Sequence, residues 1–127
     1  MTHRIIDIRK ALQSRLSDVH TEVYYEQAPD TATYPYVVYN IADSNDDGSL
    51  EQIMLEVDVW DAPINNNTMP IEILAGNIDT ALHRYVFHSD DVFFSVYREN
   101  RRNVEDSDSR LRRRQIEYQI RTMGVHN

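Results

Sequence analysis

The run Asp43-Ser44-Asn45-Asp46-Asp47-Gly48 has acids or amides at its first, third and fifth places and glycine at its sixth. That is the opening half of a calcium loop, in which oxygen ligands alternate along the chain and glycine makes the sharp turn. The twelfth place, which must supply a bidentate carboxylate, is Met54. The flanks read as strands, where such a loop needs helices, so a hairpin turn made of turn-forming residues fits better. His83 and His88, followed by Asp90 and Asp91, invite a metal reading. Their spacing is wrong for two ligands on one helical face, and the end of a helix whose dipole His83 and Arg84 complement is the better account. Asp58 with Asp61, or Glu56 with Glu117, make conceivable acid–base pairs. Nothing places a nucleophile beside them, and Gly48, Gly76 and Gly124 form no phosphate-cradling motif. A solvated carboxylate face outweighs catalysis. The sequence therefore assigns no catalytic residue, no metal ligand and no cofactor, and the protein reads as non-enzymatic.

Charge is the more prominent chemistry. Of 13 basic residues only Lys10 is lysine, and 21 acidic residues bring the net charge to -8. That balance argues against a grip on nucleic acid. Arginine presents a planar fork suited to carboxylates and aromatic faces, so the bias favours protein interfaces, unless it reflects codon usage alone. Arg110, Arg112, Arg113 and Arg114 form the one patch suited to phosphate. Acids alternate with arginines just upstream, which points instead to paired charges or a subunit contact. Tyr24, Tyr25, Tyr34, Tyr36 and Tyr39 suit base stacking in principle, but no basic groove surrounds them. A core role comes first for these rings and an interface role second.

The elements that must position these groups follow from periodicity. Ile5, Ile8, Leu12, Leu16 and Val19 recur at helical spacing, which predicts a helix over residues 5–18 with Thr2 as its cap. Strands follow at 23–26 and 36–42, and a turn dense in Asp, Asn and Gly at 43–49. Residues 52–61 alternate: Ile53, Leu55, Val57 and Val59 share one face, and Met54, Glu56, Asp58 and Trp60 share the other. The two strands make an antiparallel hairpin with an acidic tip. After a polar connection at 63–67, Thr68 is placed to cap a second helix with Pro70 in its first turn and Ile71, Leu74, Ile78, Leu82 and Tyr85 as its buried stripe. Residues 92–99 read as a strand, 100–111 as a charged loop and 112–123 as the last strand.

The result is one α+β domain over residues 1–127, in the order α-β-β-β-α-β-β, with two helices on one face of a mainly antiparallel sheet. No cysteine is present, which excludes disulfides and thiolate chemistry. No apolar run approaches the roughly 20 residues of a membrane helix, so no membrane partner is expected. The N-terminus lacks the apolar stretch of a signal peptide, so production and use in the cytosol are expected.

Several segments resemble the tail-completion, or tail-terminator, proteins of long-tailed bacteriophages and prophages. They are Ile5-Ile6-Asp7-Ile8-Arg9-Lys10-Ala11-Leu12, Tyr25-Glu26-Gln27-Ala28-Pro29, Tyr34-Pro35-Tyr36-Val37-Val38-Tyr39, Leu55-Glu56-Val57-Asp58-Val59-Trp60-Asp61, Ala81-Leu82-His83-Arg84 and Arg113-Arg114-Gln115-Ile116-Glu117-Tyr118. Order and spacing carry the signal, since each segment alone is a packing pattern. The resemblance implies a virion protein at the head–tail joint, assembled in the host cytoplasm. It implies a ring, as a hexamer, that caps the head-proximal end of the tail tube, stops tube polymerisation and offers the docking surface for the head. The partners it implies are further copies of itself, the tail tube protein, the head-completion or connector protein, and phage DNA passing through the lumen without sequence-specific binding. An acidic wall would repel phosphate and let DNA slide. A head-completion adaptor or stopper of the same joint is the alternative.

Interface candidates are Asp43, Asp46, Asp47 and Glu51 on the hairpin tip, Glu56 and Asp58 on the polar strand face, and Arg101, Arg102, Arg110, Arg112, Arg114 and Arg121. The tip at 43–51 and the loop at 100–111 are expected to project as docking arms. Arg112, Arg114 or Arg121 is expected to meet Glu56 or Asp58, within or between subunits.

Overall fold

The computed structural model describes residues 4–46, 51–90 and 92–124. The first helix, α1, spans Arg4–Ser17 and buries Ile8, Ala11, Leu12 and Leu16, the stripe that its periodicity predicts. Ile5 lies off that stripe at 37% exposure, and Thr2 is outside the described residues. Three strands follow: β1 (Val23–Tyr25), β2 (Tyr36–Asp46) and β3 (Glu51–Asp61). A short 3-10 turn at Ile64–Asn66 leads into α2 (Met69–Leu82), and β4 (Val86–His88), β5 (Val92–Val104) and β6 (Arg112–Gly124) complete the chain.

The six strands form one sheet in the order β1-β2-β3-β6-β5-β4. Every pairing is antiparallel except β1 with β2. The α+β class and the order of the main elements are as expected, with the three-residue β4 added. Both helices pack on one face, where Val37, Tyr39, Leu55, Val57, Val59, Phe94, Val96, Ile116, Tyr118 and Ile120 close the core with Leu12, Leu16, Leu74, Ile78 and Leu82. The strict alternation in β3 and β6 is what lets one face go apolar and the other polar.

Three boundaries differ from expectation by more than a residue. β2 continues through Asp43 to Asp46 rather than turning at 43, because a bulge at Ala42 shifts the register and lets the ladder with β3 run on. β5 continues through residues 100–104 past a second bulge at Glu99, so the loop shrinks to 105–111. The second helix stops at Leu82: the Arg84 φ of 66° turns the chain away, leaving Tyr85 beside the core but outside the helix. His88 accordingly lies on β4, not at a helix end. Thr68 occupies the cap position of α2 without a capping bond from its side chain. The Asn67 Oδ1 instead accepts the Met69 N–H at 3.1 Å, an Asn two residues back doing the work of the cap.

Candidate interface site

On the face of the sheet away from the helices, β3 sets Glu56 and Asp58 opposite Glu117 and Gln115 of β6. Glu56 and Glu117 are directly opposite, a like-charge pairing that costs stability unless neighbours neutralise it. The neighbours are there. Gln115 Nε2 donates to Glu56 at 3.2 Å, and Arg102 of β5 approaches Glu117 at 3.4 Å and bonds the Gln115 Oε1 at 2.8 Å. Arg113 donates to Asp58 Oδ1 at 2.8 Å, with the two side chains only 26% and 16% exposed. The result is a ladder of amide and charge across three strands.

The ladder runs into an aromatic row at the end of the sheet where β2 begins. The Arg113 guanidinium sits 5.0 Å from the Trp60 ring centroid, Trp60 stacks at 6.5 Å on Tyr36, and Tyr36 contacts Tyr34 and Tyr24. Burial raises the Tyr36 hydroxyl above its ordinary range, with the adjacent Tyr34 and Asp106 adding to the effect. The tyrosines thus divide by strand parity. Tyr39 is fully buried, with its hydroxyl donating to Gln13 Oε1 at 2.6 Å, and Tyr25 packs beside it. Tyr34 stays 45% exposed at the rim, near Ile64 at 82%. A hollow of about 300 Å³ lies there, lined by Tyr34, Pro35, Pro63, Ile64 and Pro70, with Asp61 and Asn67 among its polar groups.

The loop at 105–111 is tied down by its own charges. Asp106 accepts the Asp108 N–H, and Asp108 accepts both the backbone N–H and the guanidinium of Arg110. That embrace lowers the Asp108 carboxyl to about 2. Arg112 donates to the carbonyls of Ser109 and Leu111 and to Asn66 Oδ1 at 3.4 Å, fastening the loop to the 3-10 turn.

The candidate residues are therefore placed as follows. Glu56, Asp58 and Arg102 belong to the ladder. Arg101 and Arg114 reach Glu72 of α2 at 2.8 and 2.5 Å on the helix side, and Arg114 is the leading cause of Glu72's lowered pKa. Arg121 bonds Gln119 at 3.3 Å and lies 6.0 Å over Tyr97. Asp43, Asp46 and Glu51 are in strands, but their side chains, and all of Asp47, lie outside the described residues.

The expected pairing of Arg112, Arg114 or Arg121 with Glu56 or Asp58 is corrected within the subunit: Arg113 meets Asp58 and Gln115 meets Glu56. Strand parity carried the signal. With Ile116, Tyr118 and Ile120 inward, Arg114 must also face inward and Arg113 outward. Sequence reading also missed a second motif, Tyr118 donating to Asp79 Oδ1 at 2.9 Å while Arg98 holds Oδ2. His83 accepts the Arg98 N–H at 3.0 Å and His88 lies edge-on to Phe93. Among the described residues, no three His, Asp or Glu side chains gather into a metal-binding group.

The fold is that of a small α+β domain whose polar side chains are organised into a surface ladder, and comparison with known proteins supplies its family. The sequence matches the family of tail completion protein gp17 over residues 7–123. The chain belongs to that family, which is one of structural phage-tail proteins, as the resembling segments indicate. A chain in the solved virion of a native gene transfer agent particle shares the fold, with a TM-score of 0.68 at 12% identity, over 89% of this chain and 92% of that one. No individual curated protein matches the sequence significantly.

Proposed function

We propose that the protein forms a ring at the head-proximal end of the phage tail tube, where it stops polymerisation and presents the surface to which the head docks. The observation that carries this reading is the family match spanning nearly the whole domain, in a chain whose core is complete on one sheet face while the other bears a partly exposed ladder of charge. A ring subunit needs such a surface: hydrophobic enough at Tyr34, Ile64 and Met69 to bind, and charged enough to choose its partner. Similarity of fold to a chain of a gene transfer agent virion supports work inside an assembled particle. The net charge of -8 suits a wall past which DNA moves without sticking.

In this reading the partners are further copies of the chain, as a hexamer, the tube protein, and the connector of the head. The hairpin end around Asp43, Asp46, Asp47 and Glu51 serves as one docking arm. The loop at 105–111, with Arg110 and Arg112, serves as the other, and the protein resides in the host cytoplasm until it joins the tail. The test is to image, by negative-stain electron microscopy, tails made without this gene. Overlong or headless tubes cured by the purified protein, seen as a ring at one end, are the expected result. Tails of normal length that join heads normally would overturn the proposal.

A further inference from the structure

The sheet ends in two half-covered edges. β1 pairs only with Val37, Val38 and Tyr39, although β2 runs on to Asp46. Among the described residues no strand lies beside 40–46. At the opposite edge β4 pairs only with Phe93, Phe94 and Ser95 of β5. Arg84 and Tyr85 add backbone bonds to Val96, and His83 takes the Arg98 N–H. Past that point no strand lies beside 99–104 among the described residues, and residues 97–103 are all exposed. Each bare stretch carries a bulge at or near its start, Ala42 on β2 and Glu99 on β5.

The geometry of the two stretches is matched. β2, β3, β6 and β5 are successively antiparallel, so β2 and β5 run in opposite directions. Each is bare in its C-terminal half, which puts the bare stretches at diagonally opposite corners of the sheet. Their charges also differ in sign. Residues 40–46 contain Asp43 and Asp46 and no basic residue, whereas 99–104 contain Arg101 and Arg102 against Glu99. Arg101 is bonded to Glu72 and Arg102 to Glu117, yet the two arginine side chains remain 36% and 55% exposed.

We propose that the bare half of β5 in one copy of this chain adds to the bare half of β2 in the next, joining their sheets head to tail. Unpaired strand edges are templates for such addition, in which main-chain hydrogen bonds supply affinity. In copies related by rotation about a common axis the two strands meet antiparallel, the more stable ladder. Pairing like edges would set aspartate near aspartate or arginine near arginine, which costs stability on either strand. Charge on an edge is also a general guard against unwanted pairing. Separated by sign between the two edges, the guard becomes selective for unlike edges. A contact between two different patches repeats until the rotation closes it. Diagonal corners stagger each copy along its strands, and stagger with tilted strands is how sheets close on themselves. Closure into a ring rests on the function proposed above, whereas the edge pairing is tested separately.

The chain has no cysteine, so thiols can be placed singly. Ala42→Cys marks one exposed edge and Asn103→Cys the other. The full chain carrying both is treated with a short bis-maleimide, as purified protein and in isolated tails. The expected result is a ladder of linked oligomers from the double variant, dimers from a mixture of the two single variants, and monomer from either single variant alone. A single variant that links to itself, or a double variant that links in neither preparation, overturns the proposal. Asp43→Arg and Arg102→Glu should each lose the ladder, and the chain carrying both should regain it. No recovery in a folded chain with both changes also overturns the proposal. Normal tails without the gene beside an intact ladder would sink the tail-end function and leave edge pairing standing. Overlong tails with no edge links would do the reverse.

Discussion

Arg113 holds Asp58 through its Nε at 2.8 Å while its guanidinium lies 5.0 Å from the centroid of Trp60. One side chain therefore joins the charged ladder to the aromatic row. Both ends of the ion pair are mostly shielded from water, so solvent screens it less than a rim pair. Arg113→Ala should cost about 1–2 kcal/mol from the lost pair and the lost cation–π contact. Lysine should recover only part of this, because it lacks the planar fork. Urea unfolding of Arg113→Ala, Asp58→Ala and the double variant should show coupling of about 0.5–1 kcal/mol. Additive changes would mean that the pair contributes nothing.

How much of this was legible in the sequence follows from the same residues. Alternation in β3 and β6 and the spacing of Ile8, Leu12 and Leu16 announced the core, because each buried face repeats with its element's own period. The ends of β2 and β5 did not announce themselves. Asp43, Ser44, Asn45 and Asp46 have the composition of a turn, and Arg101 and Arg102 that of a loop. Only their ladders with β3 and β6, displaced by one-residue bulges, make them strand. That is tertiary pairing overriding local preference. β4, at three residues, is too short for any period. The ladder's carboxylates are legible in the alternation of β3, and Arg113 follows from strand parity once Ile116, Tyr118 and Ile120 face inward.

Tyr118 is buried and donates to Asp79 Oδ1 at 2.9 Å. Burial, reinforced by the Asp79 charge, raises its pKa far above the ordinary range. In the unfolded chain the phenol loses its proton near pH ~10 while the folded chain keeps it, so the native state binds more protons and stability falls as pH climbs past that point. Tyr118→Phe should cost about 0.5–1.5 kcal/mol near neutrality and make the alkaline decline shallower. The decline should not vanish, because Tyr24, Tyr36, Tyr39 and Tyr85 are shifted the same way. Urea midpoints across an alkaline series check this, and an unchanged slope would show that Tyr118 does not contribute.

Glu72 links α2 to the sheet through Arg114 and Arg101. Its pKa is lowered chiefly by Arg114, against the opposing pull of burial and with help from Arg101. A carboxylate depressed in the folded state adds stability above its unfolded pKa, near ~4.3, and loses it as pH falls through the folded value. Glu72 is 41% exposed, so screening should keep the contribution below about 1 kcal/mol. Glu72→Gln should be slightly less stable at neutral pH and converge with the parent in acid. Thermal melts from neutral to acid pH would show the gap closing, and a constant gap would remove titration of Glu72 as its source.

Gly76 lies in the middle of α2 on its exposed side, and a Cβ built there meets nothing within 4 Å. Its backbone is helical, so alanine fits without strain and reduces the freedom of the unfolded chain. Gly76→Ala should therefore stabilise the isolated chain by about 0.5–1 kcal/mol. The gain should appear as a higher urea midpoint at unchanged slope, because the surface exposed on unfolding is the same. No gain, or a loss, would mean that the helix at this point does not hold the geometry that leaves the Cβ in open space.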